Sequence, residues 1–520
     1  MSHRFLITAM LALLCVCARA PGQAAPASAA PATTPVADKP KDAKEPPRPS
    51  VTEHEVTIGG QSVRYVAAAG TLPLLDDKQK AKASVFYVSY SKLSGGEGSA
   101  AVAAGTPAAR PITFAFNGGP GSSSVWLHMG ALGPRRVKMA DAQGLAPMPP
   151  GEVIANEHSW LDFTDLVFID PVSTGYSRAA EGEDAKQFHG LEEDVKWMGE
   201  FIRLYLVRHQ RWASPKYLAG ESYGTTRAAG LAGELQGRHG ILLNGIVLIS
   251  PILHFLTASF DVGNDLPFIL YLPTYAATAK FHGKVPDAIA PDIKTVVARA
   301  TEFAGGEYAA ALLKGDGLEP AARAAIVKRL SELTGLSADF IERSNLRVPI
   351  GAFTKELLRD QRRTVGRLDS RYKGIDRDAA GERTEYDPSY ATIQGPYTAA
   401  LNGYVRGELN FESDINYEIL TGNVRPWNYA PNTNRYANVA ETLRSAMSQN
   451  RNLRVLSCSG YFDLATPVYA MDYTITHMGL DPEVRQNISQ TFYESGHMMY
   501  VREEDLAKLR TDVAQFYTRR

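Results

Sequence analysis

A serine framed by glycines stands out in Gly220-Glu221-Ser222-Tyr223-Gly224, which fits the pattern G-x-S-x-G. A serine alcohol attacks a carbonyl only when a base takes its proton and a carboxylate orients that base. The pattern predicts a sharp strand-to-helix turn. There the serine backbone is strained, its close neighbours must lack side chains, and the helix N-terminus behind it favours developing negative charge. Without a base, Ser222 would be an ordinary N-cap in a glycine-rich turn. Two late segments suit the missing roles, Ser459-Gly460-Tyr461-Phe462-Asp463 and Gly496-His497-Met498-Met499. Taken singly, Asp463 reads equally as a turn residue and His497 as a loop histidine. Taken with Ser222, they complete a nucleophile, its base and the orienting carboxylate. Asn117-Gly118-Gly119-Pro120-Gly121 adds a stretch of backbone almost bare of side chains. The N–H groups of Gly118 and Tyr223 would there form an oxyanion hole, each donor contributing on the order of 10²–10³ in rate.

The surrounding periodicity supplies elements able to position these groups. Residues 51–65 alternate around Gly59-Gly60 and predict a hairpin, and residues 83–90 predict another strand. Compact apolar runs at 111–116, 166–169, 217–219, 245–249, 453–458 and 488–493 predict buried strands. Residues 191–207, 225–235 and 503–517 have helical spacing. Strands alternating with helices predict an α/β fold with a mostly parallel central sheet, helices on both faces and ligands at the carboxyl ends of the strands. Asp463 and His497 each follow a predicted strand. The chain order Ser, Asp, His is that of the α/β-hydrolase fold. Regularity fades after Ser250. The expected organisation is a first core part at 51–259, a largely helical insertion or cap at 260–450, and a second core part at 451–520.

Composition narrows the partners. Among 520 residues, Lys plus Arg number 55 and Asp plus Glu 56, so no basic excess exists to neutralise phosphates and no nucleic-acid partner is expected. The 11 histidines are scattered, without H-E-x-x-H or paired-cysteine spacing, and no glycine loop is followed by the lysine of a nucleotide site. Neither a metal nor a cofactor is expected. Residues 1–24 read as a signal peptide, with Arg4 before an apolar stretch and Ala18-Arg19-Ala20, or a site near Ala24, for cleavage. Residues 25–50, rich in Ala and Pro, read as a disordered linker. No later run of 18 or more apolar residues occurs, so the mature chain is expected to lack a membrane span and to be secreted or periplasmic. Of three cysteines, Cys15 and Cys17 fall in the signal segment, which leaves Cys458 without a partner.

Four segments together resemble the serine carboxypeptidase family of α/β-hydrolases. They are Asn117-Gly118-Gly119-Pro120-Gly121-Ser122-Ser123, Ile169-Asp170-Pro171-Val172-Ser173-Thr174-Gly175-Tyr176-Ser177, the Ser222 motif, and Gly496-His497-Met498. The resemblance implies Ser222 as nucleophile, His497 as general base and Asp463 as its orienting acid. It implies oxyanion donors at Gly118 and Tyr223, and Asn117 and Glu221 as ligands of the substrate's terminal carboxylate, with Glu221 protonated. Three departures stand out. Ser122 occupies a usual cysteine position, Ala131 stands where many relatives carry a glutamate before Leu132-Gly133-Pro134, and the Asp170-Pro171 junction is one residue short. The expected function is a serine carboxypeptidase releasing C-terminal amino acids from peptides through an acyl-enzyme. An esterase or acyltransferase on the same triad is the alternative that Ala131 motivates. A catalytically silent binding protein on the hydrolase fold is the third reading. The sequence leaves oligomeric state open.

Overall fold

In the computed structural model, residues 48–93, 110–139 and 147–518 are described, so the expected signal peptide and nearly all of the expected linker lie outside the described residues. Strand β1 (Ser50–Ile58) turns through Gly59 and Gly60 into β2 (Gln61–Leu75). Both glycines hold positive φ, the left-handed region that costs glycine nothing and that a tight hairpin needs. β2 pairs antiparallel with β3 (Ala81–Lys92), well beyond the predicted end of the hairpin. The remaining strands are β4 (Ile112–Phe116), β5 (Arg135–Lys138), β6 (Glu152–Ala155), β7 (Asp165–Ile169), β8 (Arg178–Ala179), β9 (Lys216–Glu221), β10 (Gly245–Ile249), β11 (Thr364–Val365), β12 (Lys373–Gly374), β13 (Arg454–Gly460) and β14 (Ile488–Tyr493).

The main sheet runs β1-β2-β3-β7-β4-β9-β10-β13-β14, with β8 also paired to β3. β7, β4, β9, β10, β13 and β14 are mutually parallel, while β1, β2 and β3 extend the sheet antiparallel. β5 pairs with β6 and β11 with β12 in two small antiparallel ribbons. Every residue of β4, β7, β9 and β10 is buried, which is why these strands read as continuous apolar runs rather than alternating ones.

The two faces are covered by different helices. Ile112, Phe114 and Phe116 point into a core with helices Leu191–Arg208, Tyr223–His239 and Ala440–Gln449. Ala115, Phe168 and Val247 point into another with Pro388–Gly407 and Glu503–Thr518. Helices Leu266–Phe281, Ile293–Phe303 and Pro320–Thr334 pack around a third core of their own, through Tyr275, Val296 and Leu330. Residues 260–450 thus contribute to three cores. Only their first part packs on itself, while Tyr397 and Leu443 lay later helices on opposite faces of the sheet. The arrangement carries the ends of β4, β9, β13 and β14 to one edge, where the loops with the predicted chemistry begin.

Truncating Phe114 to Ala, at 0% exposure in the central sheet, is expected to lower unfolding free energy by about 3–5 kcal/mol in urea denaturation. Leu313→Ala, on an 88% exposed side chain, is expected to change it by no more than about 0.5 kcal/mol. Equal effects would contradict this packing.

Candidate active site

Ser222 directly follows β9 and precedes helix Tyr223–His239, with φ 59° and ψ −129°. That conformation is costly for a residue with a Cβ, so the surroundings must impose it. A Cβ on Gly220 would lie 2.2 Å from Gly224 O, one on Gly224 would lie 2.7 Å from Phe116 O, and one on Gly118 would lie 2.4 Å from Tyr223 N. The glycines are therefore required by backbone-to-backbone approach, and that approach sets Gly118 beside the Tyr223 N–H. Fully buried Arg227 bonds Asn117 O at 2.5 Å and Asp194 Oδ2 at 2.8 Å, which ties the glycine loop to the helix behind the serine.

Asp463 and His497 meet in the loops after β13 and β14. His497 Nδ1 is 2.8 Å from Asp463 Oδ2. Asp463 Oδ1 accepts the N–H groups of Ala465 and Thr466, and Thr466 Oγ1 donates to Oδ2 at 2.7 Å. An acceptor-only carboxylate favours the proton on Nδ1 and leaves Nε2 free to act as a base. Burial disfavours charge on His497, but the attraction and hydrogen bond of Asp463 outweigh it and raise its pKa. Ser222 and His497 line one cavity of about 1030 Å³. Among the described residues the Ser222 hydroxyl takes no hydrogen bond; such contacts commonly tighten only around bound substrate.

Residues 367–371, within the predicted insertion, clamp both loops. Leu368 O accepts His497 N at 2.6 Å, Arg367 O accepts Leu464 N at 3.1 Å, and Ser370 N donates to Phe462 O at 3.0 Å. Asp369 Oδ2 accepts Gly496 N at 3.1 Å and is paired with buried Arg371, which itself donates to Glu494 O. Sequence reading did not reach these contacts, because they join stretches more than 90 residues apart.

Glu221 and Asn117 lie beside the nucleophile in the same cavity. Glu221 is buried and accepts the Tyr500 hydroxyl at 2.5 Å. Burial pushes its pKa up to about 7 against the pull of His497, Tyr500 and Asn117. Asn117 Oδ1 accepts Leu127 N at 3.1 Å, while its buried Nδ2 makes no hydrogen bond of regular geometry. Where the family resemblance led one to expect a cysteine, Ser122 Oγ accepts Trp126 Nε1 at 2.9 Å and Ser122 bridges to Leu420. Trp126 lines the cavity, whereas the Tyr223 ring is buried and its hydroxyl accepts Trp427 Nε1. Arg367 and Arg425 also line the cavity. Cys458 is free and buried, its thiol pushed up to about 11 by burial, which suits packing rather than reaction. Among the described residues Glu157, His158 and Glu503 gather within 4.8 Å on the surface, but Glu503 is already paired with Arg136. No described helix is long and apolar enough to cross a membrane.

Parallel strands, a strained serine at a strand-to-helix turn, and Asp and His on later loops define the α/β-hydrolase fold. Residues 73–260 match the serine carboxypeptidase family model. Serine carboxypeptidase-like 10 of Arabidopsis thaliana is 29% identical over 172 residues, 31% of this chain and 37% of that protein. The pheromone-processing carboxypeptidase KEX1 of Coprinopsis cinerea is 36% identical over 115 residues, 22% of this chain and 17% of that protein. The chain thus spans about a third of the length of the former relative and less of the latter. The crystal structure of the prohormone-processing carboxypeptidase Kex1 from Saccharomyces cerevisiae superposes with TM-score 0.54 at 16% identity, covering 87% of this chain and 91% of that one, which supports the fold.

Two outcomes test this geometry. With its pKa raised to about 7 from 4.5, Glu221 binds its proton more tightly folded than unfolded. Its stabilising share is full below pH 4.5 and declines as pH rises to about 7. Glu221→Gln is expected to flatten the fall in melting temperature across that window; an unchanged slope would contradict the burial argument. Asp369→Ala leaves Arg371 buried without its partner and is expected to cost about 3–5 kcal/mol in denaturant melts.

Proposed function

We propose that this protein is an exported serine-type carboxypeptidase, secreted or periplasmic, that removes C-terminal amino acids from peptides. The observation that carries the reading is a pair of buried groups beside Ser222: Asn117 Nδ2, which faces the Glu221 carboxyl but makes no hydrogen bond of regular geometry, and a Glu221 that burial keeps protonated up to about pH 7. A buried amide donor left with a poor contact gains when a ligand supplies a better acceptor. A protonated carboxyl can donate to a carboxylate, whereas an ionised one would repel it. Together they suit the free end of a peptide chain and set the last peptide bond against the nucleophile. The division into core parts at 51–259 and 451–520 with a cap at 260–450 belongs to the same proposal, as does removal of residues 1–24 on export.

In the reaction Ser222 Oγ attacks the last peptide carbonyl while His497 Nε2 takes its proton. The negative oxygen is met by the N–H groups of Gly118 and Tyr223, the latter at the positive end of its helix. Collapse breaks the C–N bond, and His497 returns the proton to the departing amine. Water then attacks the acyl-enzyme with His497 again as base, which frees the shortened peptide and restores the Ser222 hydroxyl. Asp463 holds the imidazole in its working tautomer throughout. An esterase or acyltransferase using the same three residues is the second reading, favoured by Ala131 where a second acid was expected.

Ser222→Ala is expected to abolish fluorophosphonate labelling and to lower kcat/KM by about 10⁵–10⁶-fold. At about pH 5, amidating the C-terminus of an N-blocked dipeptide substrate is expected to reduce turnover at least about tenfold, through loss of a charge-assisted contact. The advantage of the free acid is expected to fade as pH rises past about 7, where Glu221 ionises. Equal hydrolysis of acid and amide on both sides of that pH, with esters cleaved well, would transfer the assignment to the second reading.

A further inference from the structure

We propose that Tyr500 is a positioning residue that fixes the Glu221 proton on the carboxyl oxygen facing the substrate. The inference rests on the carboxypeptidase reading for its kinetic consequence, but not for its geometry. Tyr500 lies in the short helix Met499–Val501, directly after the His497 loop. Its hydroxyl donates to Glu221 Oε2 at 2.5 Å, and both side chains are at 3% exposure. A phenol has one proton to give, and burial beside Glu221 pushes the Tyr500 pKa well up, so the donor persists throughout the working range. When Glu221 is protonated, an incoming donor prefers the carbonyl oxygen to the hydroxyl oxygen. Tyr500 therefore makes Oε2 the carbonyl and leaves the acid proton on Oε1, free to bond an anionic chain end.

The close approach is built into the backbone. A Cβ on Gly130 would lie 2.4 Å from the Tyr500 ring and 2.6 Å from the Tyr397 hydroxyl. This turn, Gly130-Ala131, is the one where the resemblance led one to expect a glutamate. The Tyr500 phenol thus supplies Glu221 with a partner that brings a proton and no charge. A second carboxyl would instead have to share a proton with Glu221. The groups acting on Glu221 are His497, Tyr500 and Asn117, which favour its charged form, and Asp463, which opposes it, with neutral Tyr397 adjacent. Because Tyr500 favours the charged form, removing its hydroxyl raises the Glu221 pKa.

The test is Tyr500→Phe, which keeps the ring and its packing. For a free-acid peptide the loss of kcat/KM is expected to be about tenfold, carried mainly by KM, as for one hydrogen bond to a chargeable group. The pH at which KM begins to climb is expected to move upward. A merely structural tyrosine would lower kcat and raise KM together, with no displacement of the pH limb, and that result would overturn the proposal. A second readout needs no substrate: infrared titration of the protonated carboxyl band assigned by Glu221→Gln. In Tyr500→Phe the band is expected at higher frequency, titrating at higher pH. An unmoved band overturns the proposal whatever the substrate proves to be. A shifted band in a protein indifferent to chain-end amidation would uphold Tyr500 and overturn the carboxypeptidase reading alone.

Discussion

Around Ser222 the main chains pack so closely that a side chain on any of three neighbouring glycines would collide with backbone, and the rest of the site follows from that crowding. Gly118 against the Tyr223 N–H, Gly220 against Gly224 O and Gly224 against Phe116 O bring the loop after β4 and the turn after β9 to the separation of bare main chains. At that distance the glycine loop can deliver a donor beside the first turn of helix Tyr223–His239, and Asn117 and Glu221 come to face the same space. The positive φ of Ser222 is the strain that the crowding sustains. It is held from beneath by Ile249 O on β10 and from behind by the buried Arg227–Asp194 pair.

The Asp463–His497 pair is organised by a different principle. Where Ser222 is fixed by the absence of side chains, Asp463 and His497 are fixed by saturation. Every oxygen of the Asp463 carboxylate has a donor, and His497 is bonded through its ring, its N–H and its carbonyl. One of these bonds comes from Leu368, and its neighbours hold Phe462, Leu464 and Gly496, so a segment far away in the chain braces both loops. Glu221 is the exception to this economy of paired charge. It sits buried with a phenol rather than a cation, and burial disfavours its ionisation.

Much of the core was legible because its signals are local. β4, β7, β9 and β10 fall within a few residues of the predicted strands, since strands covered on both faces must be apolar throughout. The Ser222 turn was legible because glycine spacing is a steric signature. Asp463 and His497 were readable only as an ordered pair after strands, and their roles were carried by resemblance as much as by physics. The clamp at 367–371 and the Tyr500 contact were not legible. Both depend on loops meeting across the sheet edge, and neither Leu368 O nor a tyrosine hydroxyl leaves a periodic or compositional trace.

The brace has a consequence in time. A ribosome delivers the Ser222 turn long before residues 367–371, and those well before His497, so a nascent or truncated chain holds an alcohol with nothing to activate it. The meeting of Ser222, Asp463 and His497 in one place therefore comes late, with the final strand and the docking of residues 367–371 onto the loops beside it.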